Sequence, residues 1–388
     1  MSGPAEIKPQ SGQPEYYAAL DGFRGLLAVF VAVYHTIWLS HPQRWAFFEN
    51  GPVIIDLFFA LSGFLMWRLY SKKLQGPAGA LQFMKRRFAR LYPLHVFMLA
   101  VFVGFAILRL VAHKIGIAET TPGEILPFET GSIENWGSLL QHLTLTHAFG
   151  FEEALTFNPP SWTIGAEFWT YLVFVGVVLW CRPSKFWHFV IMALLVSLIY
   201  FALSRVRPNL NITYDLGFWR CLAGFFSGVL AAASFAYLRP YLRKLSVKGF
   251  TALEITMVLL GTAFVIYCGG KLQFLVGPII FSFILLFAFD GGLISRFMSR
   301  PIFLYLAKIS YSVYMTHVII AFAFGIVLKR GLGELPTGWA GDFWLGIYLC
   351  VVLVVSHLTW RFVEKPGGRW LRALQLPQKR VAKTEPSV

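Results

Sequence analysis

Charge is scarce in this sequence. Of its 388 residues only 14% are Asp, Glu, Lys or Arg and 57% are hydrophobic, whereas ordinary soluble domains carry about 25% charged residues. A water-soluble globular enzyme is excluded on that ground, and an integral membrane protein is expected. Cysteine is scarce too: Cys181, Cys221, Cys268 and Cys350 form no Cys-x-x-Cys pair and no metal-ligand spacing, so they read as small core residues and no metal is expected. Acidic residues are outnumbered, 19 against 34 Lys and Arg. Basic loops on one side of a membrane produce that excess without any nucleic-acid partner. No small-residue cleavage site follows the first apolar run, so the first span is expected to stay in the mature protein. Internal repeats and low-complexity blocks are also lacking.

Long apolar runs are abundant. A helix needs about 20 mostly apolar residues to cross about 30 Å of hydrocarbon, and ten stretches qualify, at about 22–40, 51–70, 91–112, 161–181, 186–204, 214–237, 250–268, 272–290, 302–328 and 342–362. The fold expected is an all-α polytopic membrane bundle of about ten helices. Basic residues concentrate after every second span: Lys72, Lys73 and Lys85 to Arg90 after the second, Arg239, Arg243, Lys244 and Lys248 after the sixth, and Arg361 to Lys383 after the last. The positive-inside rule then places both termini in the cytoplasm. The 113–160 loop, with Glu119, Glu124, Glu129, Glu134, Glu152 and Glu153 against Lys114, belongs outside, and its 138–150 stretch reads as a short interfacial helix. The organisation expected is a polar cytoplasmic tail over 1–20, a transmembrane domain over 21–363 and a basic cytoplasmic tail over 364–388.

Polar groups inside the apolar spans carry the functional signal, because ionisable side chains in hydrocarbon cost several kcal/mol unless they face a polar interior. In LDGFRGLLAVFVAVYH, residues 20–35, Arg24 and His35 are eleven residues apart. That is just over three helical turns and about 16 Å of rise, so one face carries both. A guanidinium near the cytoplasmic end suits phosphate or carboxylate, and an imidazole deeper in the outer half suits proton transfer. The bland alternative is a snorkelling Arg and a hydrogen-bonded core His. Asp56, in VIIDLFFALSGFLMW, falls at a depth similar to His35 and is a candidate to orient its imidazole; the competing role is partner to another buried cation. In FMKRRFARLYP, Lys85 and Arg86 are topology signals, while Arg87 and Arg90 share a helical face suited to gripping a phosphate. Glu167, in NPPSWTIGAEFWTY, is a second outer-half carboxylate, either a substrate contact or a helix–helix hydrogen bond. Ser310, Tyr314 and His317 form a polar stripe in the ninth span and argue for a lined cavity. His357 with Arg361, and Asp215 with Arg220, read as structural pairs or interface anchors.

Taken together, these stretches resemble the membrane acyltransferase 3 family, whose bacterial members mostly O-acetylate surface sugars. The resemblance runs from about Leu20 to Pro366. It rests on the Arg24-to-His35 spacing, with DLFFALSGFL, RRFARLYP, SWTIGAEFWTY, YSVYMTH and FVEKP in support. It implies acyl transfer across the membrane. Acyl-CoA, foremost acetyl-CoA, would engage from the cytoplasm with Arg24, Arg87 and Arg90 at its nucleotide end. His35 takes the position of the essential motif histidine and Glu167 that of an acidic residue of less settled role. His35 would either deprotonate an acceptor hydroxyl or carry the acyl group itself, and sequence does not choose.

Many relatives carry an extra extracellular hydrolase-like domain. This chain runs about 25 residues past the last span, which favours a stand-alone type acting in the inner membrane on exopolysaccharide, O-antigen or a lipid-linked saccharide. Two other classes compete. A secondary transporter would use Arg24, His35, Asp56 and Glu167 as a relay, but no inverted-repeat symmetry is visible. A helper subunit of an export complex would leave the polar stripes unexplained.

Overall fold

A computed structural model of the chain describes residues 16–117, 125–242 and 244–374. Residues 1–15 and 375–388 of the terminal tails, and Glu119, Glu124 and Arg243, lie outside the described residues. Fourteen α-helices follow one another: α1 (Ala18–Tyr34), α2 (Ala46–Glu49), α3 (Ile55–Tyr70), α4 (Gly76–Lys114), α5 (Trp136–Thr144), α6 (Trp162–Gly176), α7 (Phe186–Val206), α8 (Gly217–Leu242), α9 (Val247–Tyr267), α10 (Val276–Phe287), α11 (Leu293–Met298), α12 (Pro301–Leu332), α13 (Gly338–Thr359) and α14 (Lys365–Ala373). Among the described residues there is no strand, only an isolated bridge between Leu39 and Thr337.

Nine helical segments among the described residues are long and apolar enough to cross a membrane. The protein is a multi-pass helix bundle. Leu194, Leu195 and Leu198 of α7 and Leu259 and Leu260 of α9 are exposed, as side chains facing lipid rather than water must be when a helix is apolar all round. The first predicted span is shorter than its apolar run: α1 has 17 residues, about 25 Å of rise. Its end has a local cause. The His35 and Thr36 side chains bond to the Val31 and Val33 carbonyls at 2.9 and 3.0 Å, satisfying acceptors that an ending helix leaves open. At its start, the Asp290 carboxylate accepts from the Ala18 and Ala19 N–H groups, which suits a helix N-terminus.

Two close helix pairs frame the interior. In α3 and α8 the backbones nearly touch: a Cβ on Gly63 would lie 1.8 Å from the Phe225 carbonyl oxygen, and one on Gly228 1.8 Å from that of Ala60. Only glycine permits this approach. In the other pair α1 packs along α12, with Gly25 against the Ala307 backbone. Helix α4 is continuous through Pro93, and the return of α14 places Gly367 and Gly368 against Pro93 and Ala89. The helix predicted within 138–150 is α5, begun by Asn135, which accepts from the Gly137 and Ser138 N–H groups. Cys221 and Cys268 are buried as expected, whereas Cys181 and Cys350 are exposed.

Candidate active site

Helices α1, α3, α4, α6 and α12 enclose a cavity of 420 Å³. Three arginines reach it. Arg24, nearly two turns into α1, lies 3.0 Å from Asp21 and donates to the Ala307 carbonyl at 3.3 Å, yet its Nε is buried without a partner. Arg87 lies over the rings of Tyr70 and Phe83 at 5.6 and 5.8 Å, its Nη2 is 3.4 Å from the Tyr70 hydroxyl, and its Nε too is buried without a partner. Arg90, one turn further along α4, is exposed and lines the same space. Against these three cations the lining holds two carboxylates, Asp21 and Glu167. Buried donors without acceptors are costly, and here they surround a cavity that an anion can enter.

Glu167 lies deeper. Its Oε1 accepts from the Tyr171 hydroxyl at 2.5 Å and from Ser62 Oγ, while Ser62 Oγ and the Tyr171 hydroxyl are 3.3 Å apart. The Ser62–Tyr171 contribution was missed at the sequence level. Tyr171 follows Glu167 by four residues on one helix, a spacing that brings side chains together, but the partnership with Ser62 spans two helices and leaves no local signal.

His35 and His317 come together beyond the cavity. His317 Nε2 is 3.3 Å from His35 Nδ1, and the ring centroids are 5.0 Å apart. Each Nδ1 also faces a carbonyl, Val31 for His35 at 2.9 Å and Val313 for His317 at 3.1 Å. A carbonyl only accepts, so in the neutral pair both Nδ1 atoms carry the proton and His317 Nε2 is a second acceptor for His35 Nδ1–H. His35 Nε2 is left with a lone pair and, among the described residues, no hydrogen-bond partner. The Tyr348 hydroxyl braces the pair from α13, 3.2 Å from the Ala32 carbonyl and 3.1 Å from that of His317.

Three expectations need correction. Asp56 does not orient His35: it is fully buried and engaged by Arg220 Nε at 2.9 Å, Arg220 Nη2 at 2.6 Å and the Tyr200 hydroxyl at 2.9 Å. The Val31 carbonyl holds the imidazole instead, and Asp215 pairs with Arg207 rather than Arg220. Nor is the stripe from Arg24 to His35 continuous. Arg24, Ser310 and Tyr314 line the cavity, but His35 and His317 do not. Tyr314 stands between, its ring centroid 5.9 Å from that of His317. Ser310 turns its hydroxyl back to the Ala307 carbonyl at 2.8 Å.

A further cluster had no sequence signal. His95 of α4, His142 of α5 and His147 are buried with parallel rings, those of His142 and His147 4.0 Å apart. His95 Nε2 meets the His142 carbonyl at 2.9 Å, and Ser161 Oγ lies 3.4 and 3.3 Å from His142 Nδ1 and His147 Nε2. Burial, and then the neighbouring imidazoles, hold His142 well below the ordinary histidine range, and burial pushes His147 down to about 4. The stack fastens the 136–147 segment to α4. Among the described residues, no group of three or more His, Cys, Asp or Glu side chains is arranged to hold a metal ion.

The sequence profile of the acyltransferase 3 family, described as an acyltransferase domain, matches residues 17–361. The chain belongs to the acyltransferase 3 family. Among curated relatives, "O-acetyltransferase OatA" of Staphylococcus aureus (strain NCTC 8325 / PS 47) is 23% identical over 377 residues, covering 91% of this chain and 57% of that protein. "Protein 2 in picA locus" of Rhizobium radiobacter is 41% identical over 99 residues, 24% of this chain and 48% of its own length. "Acyltransferase MdmB" of Streptomyces mycarofaciens is 33% identical over 135 residues, 34% of this chain and 29% of its own length. The chain thus spans only about half the length of the first relatives it matches. No solved structure matches this acyltransferase 3 chain.

Proposed function

We propose that the protein is an integral membrane O-acyltransferase. It moves an acyl group, foremost acetyl, from acyl-CoA on the cytoplasmic side of the inner membrane to a hydroxyl of an envelope saccharide on the other side. The observation that carries this reading is the pairing of two unlike ends: a cavity bearing Arg24, Arg87 and Arg90, and one ring beyond it a histidine whose Nε2 is unengaged. With both termini cytoplasmic, the arginines face the side where acyl-CoA is found. Their planar donors match phosphate geometry.

In the reading with His35 as base, Nε2 takes the proton of the acceptor hydroxyl as the oxygen attacks the thioester carbonyl. The C–O bond forms, the tetrahedral centre collapses, the C–S bond breaks, and the thiolate recovers the proton from the imidazolium. His317 Nε2 and the Val31 carbonyl stabilise the cation that His35 becomes in between, because both accept from its Nδ1–H. Glu167, fixed by Tyr171 and Ser62, presents a carboxylate edge to the cavity and serves as a polar contact to the donor arm. Ser310 and Tyr314 complete the lining beside it.

The test compares ester-linked acyl groups on surface saccharides by NMR in cells with the gene, without it, and with His35→Ala at matched membrane levels. Loss of the ester signal in both the deletion and the variant is expected. A variant indistinguishable from the intact protein would make His35 a core histidine and overturn the reading.

A further inference from the structure

The cavity ends in an aromatic wall. Beyond Glu167 its lining closes with Ile55, Phe58, Phe59, Thr163 and Tyr314. The Phe58 and Tyr314 ring centroids lie 6.2 Å apart. Tyr314 is pinned at its far end, since its hydroxyl donates to the Pro160 carbonyl at 3.2 Å and lies 3.1 Å from Thr163 Oγ1. On its other side the ring meets His317. A donor held by its phosphates at the arginines points its acyl end at this wall, and the reacting carbonyl must come close to it to be within reach of His35.

We infer that Tyr314 and Phe58 determine acyl-chain specificity, confining the donor to short acyl groups such as acetyl. The inference rests on the reading of the cavity as the acyl-CoA site. The wall consists of rings, and the Tyr314 hydroxyl fixes the position of one of them. A chain longer than the space before the rings forces them apart or draws the carbonyl back from His35. Rejecting one extra methylene in an apolar pocket is worth about 10- to 200-fold in kcat/KM.

The experiment uses the full-length protein in nanodiscs, with acetyl-, butyryl- and hexanoyl-CoA in competition and extracted envelope saccharide as acceptor. Melting with CoA alone is measured in parallel. The wild type is expected to prefer acetyl-CoA over hexanoyl-CoA by at least ~10²-fold. Phe58→Ala should raise the hexanoyl-to-acetyl ratio by at least ~10-fold, and Phe58→Leu, which leaves less of a void, should raise it by a smaller amount. Tyr314→Phe keeps the ring but frees it from the Pro160 carbonyl, and should raise the ratio by less than Phe58→Ala does.

A wild type that uses hexanoyl-CoA as readily as acetyl-CoA overturns the inference, as does a CoA-stabilised Phe58→Leu variant with the wild-type ratio. If no acyl-CoA is turned over and CoA leaves melting unchanged, the reading of the cavity itself has failed, and the inference falls with it.

Discussion

Two buried polar clusters sit on neighbouring faces of α3, and they are built in opposite ways. Around Asp56 every strong group is answered: Arg220 gives its Nε and Nη2 to the carboxylate, its Nη1 to the Ile212 carbonyl at 3.1 Å and Nη2 also to Pro52, and Tyr200 adds a third bond to Asp56. Around the cavity, which Ser62 lines nearly two turns along the same helix from Asp56, the groups are left short: the Nε atoms of Arg24 and Arg87 are buried without partners. A buried ion pair with all its donors engaged fixes neighbouring elements, here α3, α7 and α8 with the 52 and 212 turns. Unanswered donors around a space cost stability and are tolerated where a ligand completes them. Depth in the membrane did not separate the two roles; the completeness of hydrogen bonding does.

The sharpest way to break this comparison is through the histidine beyond the open cluster. His35→Ala removes the base and should lower turnover on the order of 10²- to 10⁴-fold. Stabilisation by CoA, read as a melting shift, should persist because the arginines are untouched. If melting and CoA stabilisation collapse together, the His35–His317 pair belongs with the structural cluster.

The closed cluster should answer in the opposite currency. Asp56→Asn leaves Arg220 buried with an incomplete partner, and removing one member of a buried pair costs about 3–5 kcal/mol. The double variant Asp56→Leu with Arg220→Met removes both charges and should recover much of that loss. Detergent melting of the two variants beside the wild type measures it, and any sample that remains folded should retain CoA stabilisation. A stable Asp56→Asn protein that no longer responds to CoA would move Asp56 into the donor site and erase the distinction.

A smaller effect is expected at the open cluster. Arg24→Ala or Arg87→Ala removes a charged hydrogen-bond donor worth about 1.5–3 kcal/mol to a bound anion, so KM for acyl-CoA should rise roughly 10- to 150-fold. Melting of the ligand-free protein should fall less than in Asp56→Asn, since what is lost is the pairing with half-buried Asp21 and the Ala307 carbonyl in one variant and the contact with Tyr70 in the other. Changes confined to kcat would contradict a phosphate-gripping role.

How much of this was legible beforehand differs between the same two regions. The bundle could be read from apolar run lengths, because a helix of about 20 apolar residues has few other places to go. Arg24 and Glu167 were singled out as polar groups the membrane penalises, Arg87 and Arg90 as a cytoplasmic pair on one helical face, and all four line one cavity. Pairings were less accessible. Asp56 and His35 were matched by depth, but depth is one coordinate, and the rotation of α3 about its axis turns Asp56 toward Arg220, 164 residues away. Tyr314 was read as part of a polar stripe; its place as a barrier depends on α12 lying against α1 and α3, which periodicity within a single helix does not report.

The histidine stack on α5 belongs to neither cluster and gives the mildest test. His142 and His147 are buried and held below the ordinary range, His147 to about 4. When the segment is docked they stay neutral down to low pH, whereas once it is released they titrate near 6.5. The released state therefore binds more protons between these values, so docking is at full strength above about pH 6.5 and weakens as pH falls toward 4. For His147 the slope is about 1.4 kcal/mol per pH unit across that window. The charged neighbour on the outer side, Glu152, reaches the stack only through Gln141, to which it is bonded at 2.6 Å. Hydrogen exchange of residues 136–147 measured from pH 7.5 to 4.5, corrected for intrinsic rates, should show protection falling with pH, while α3 and α8 around Asp56 and Arg220 change little. Equal loss in both places would mean that the whole bundle titrates as one unit, and that the outer segment has no stability of its own to lose.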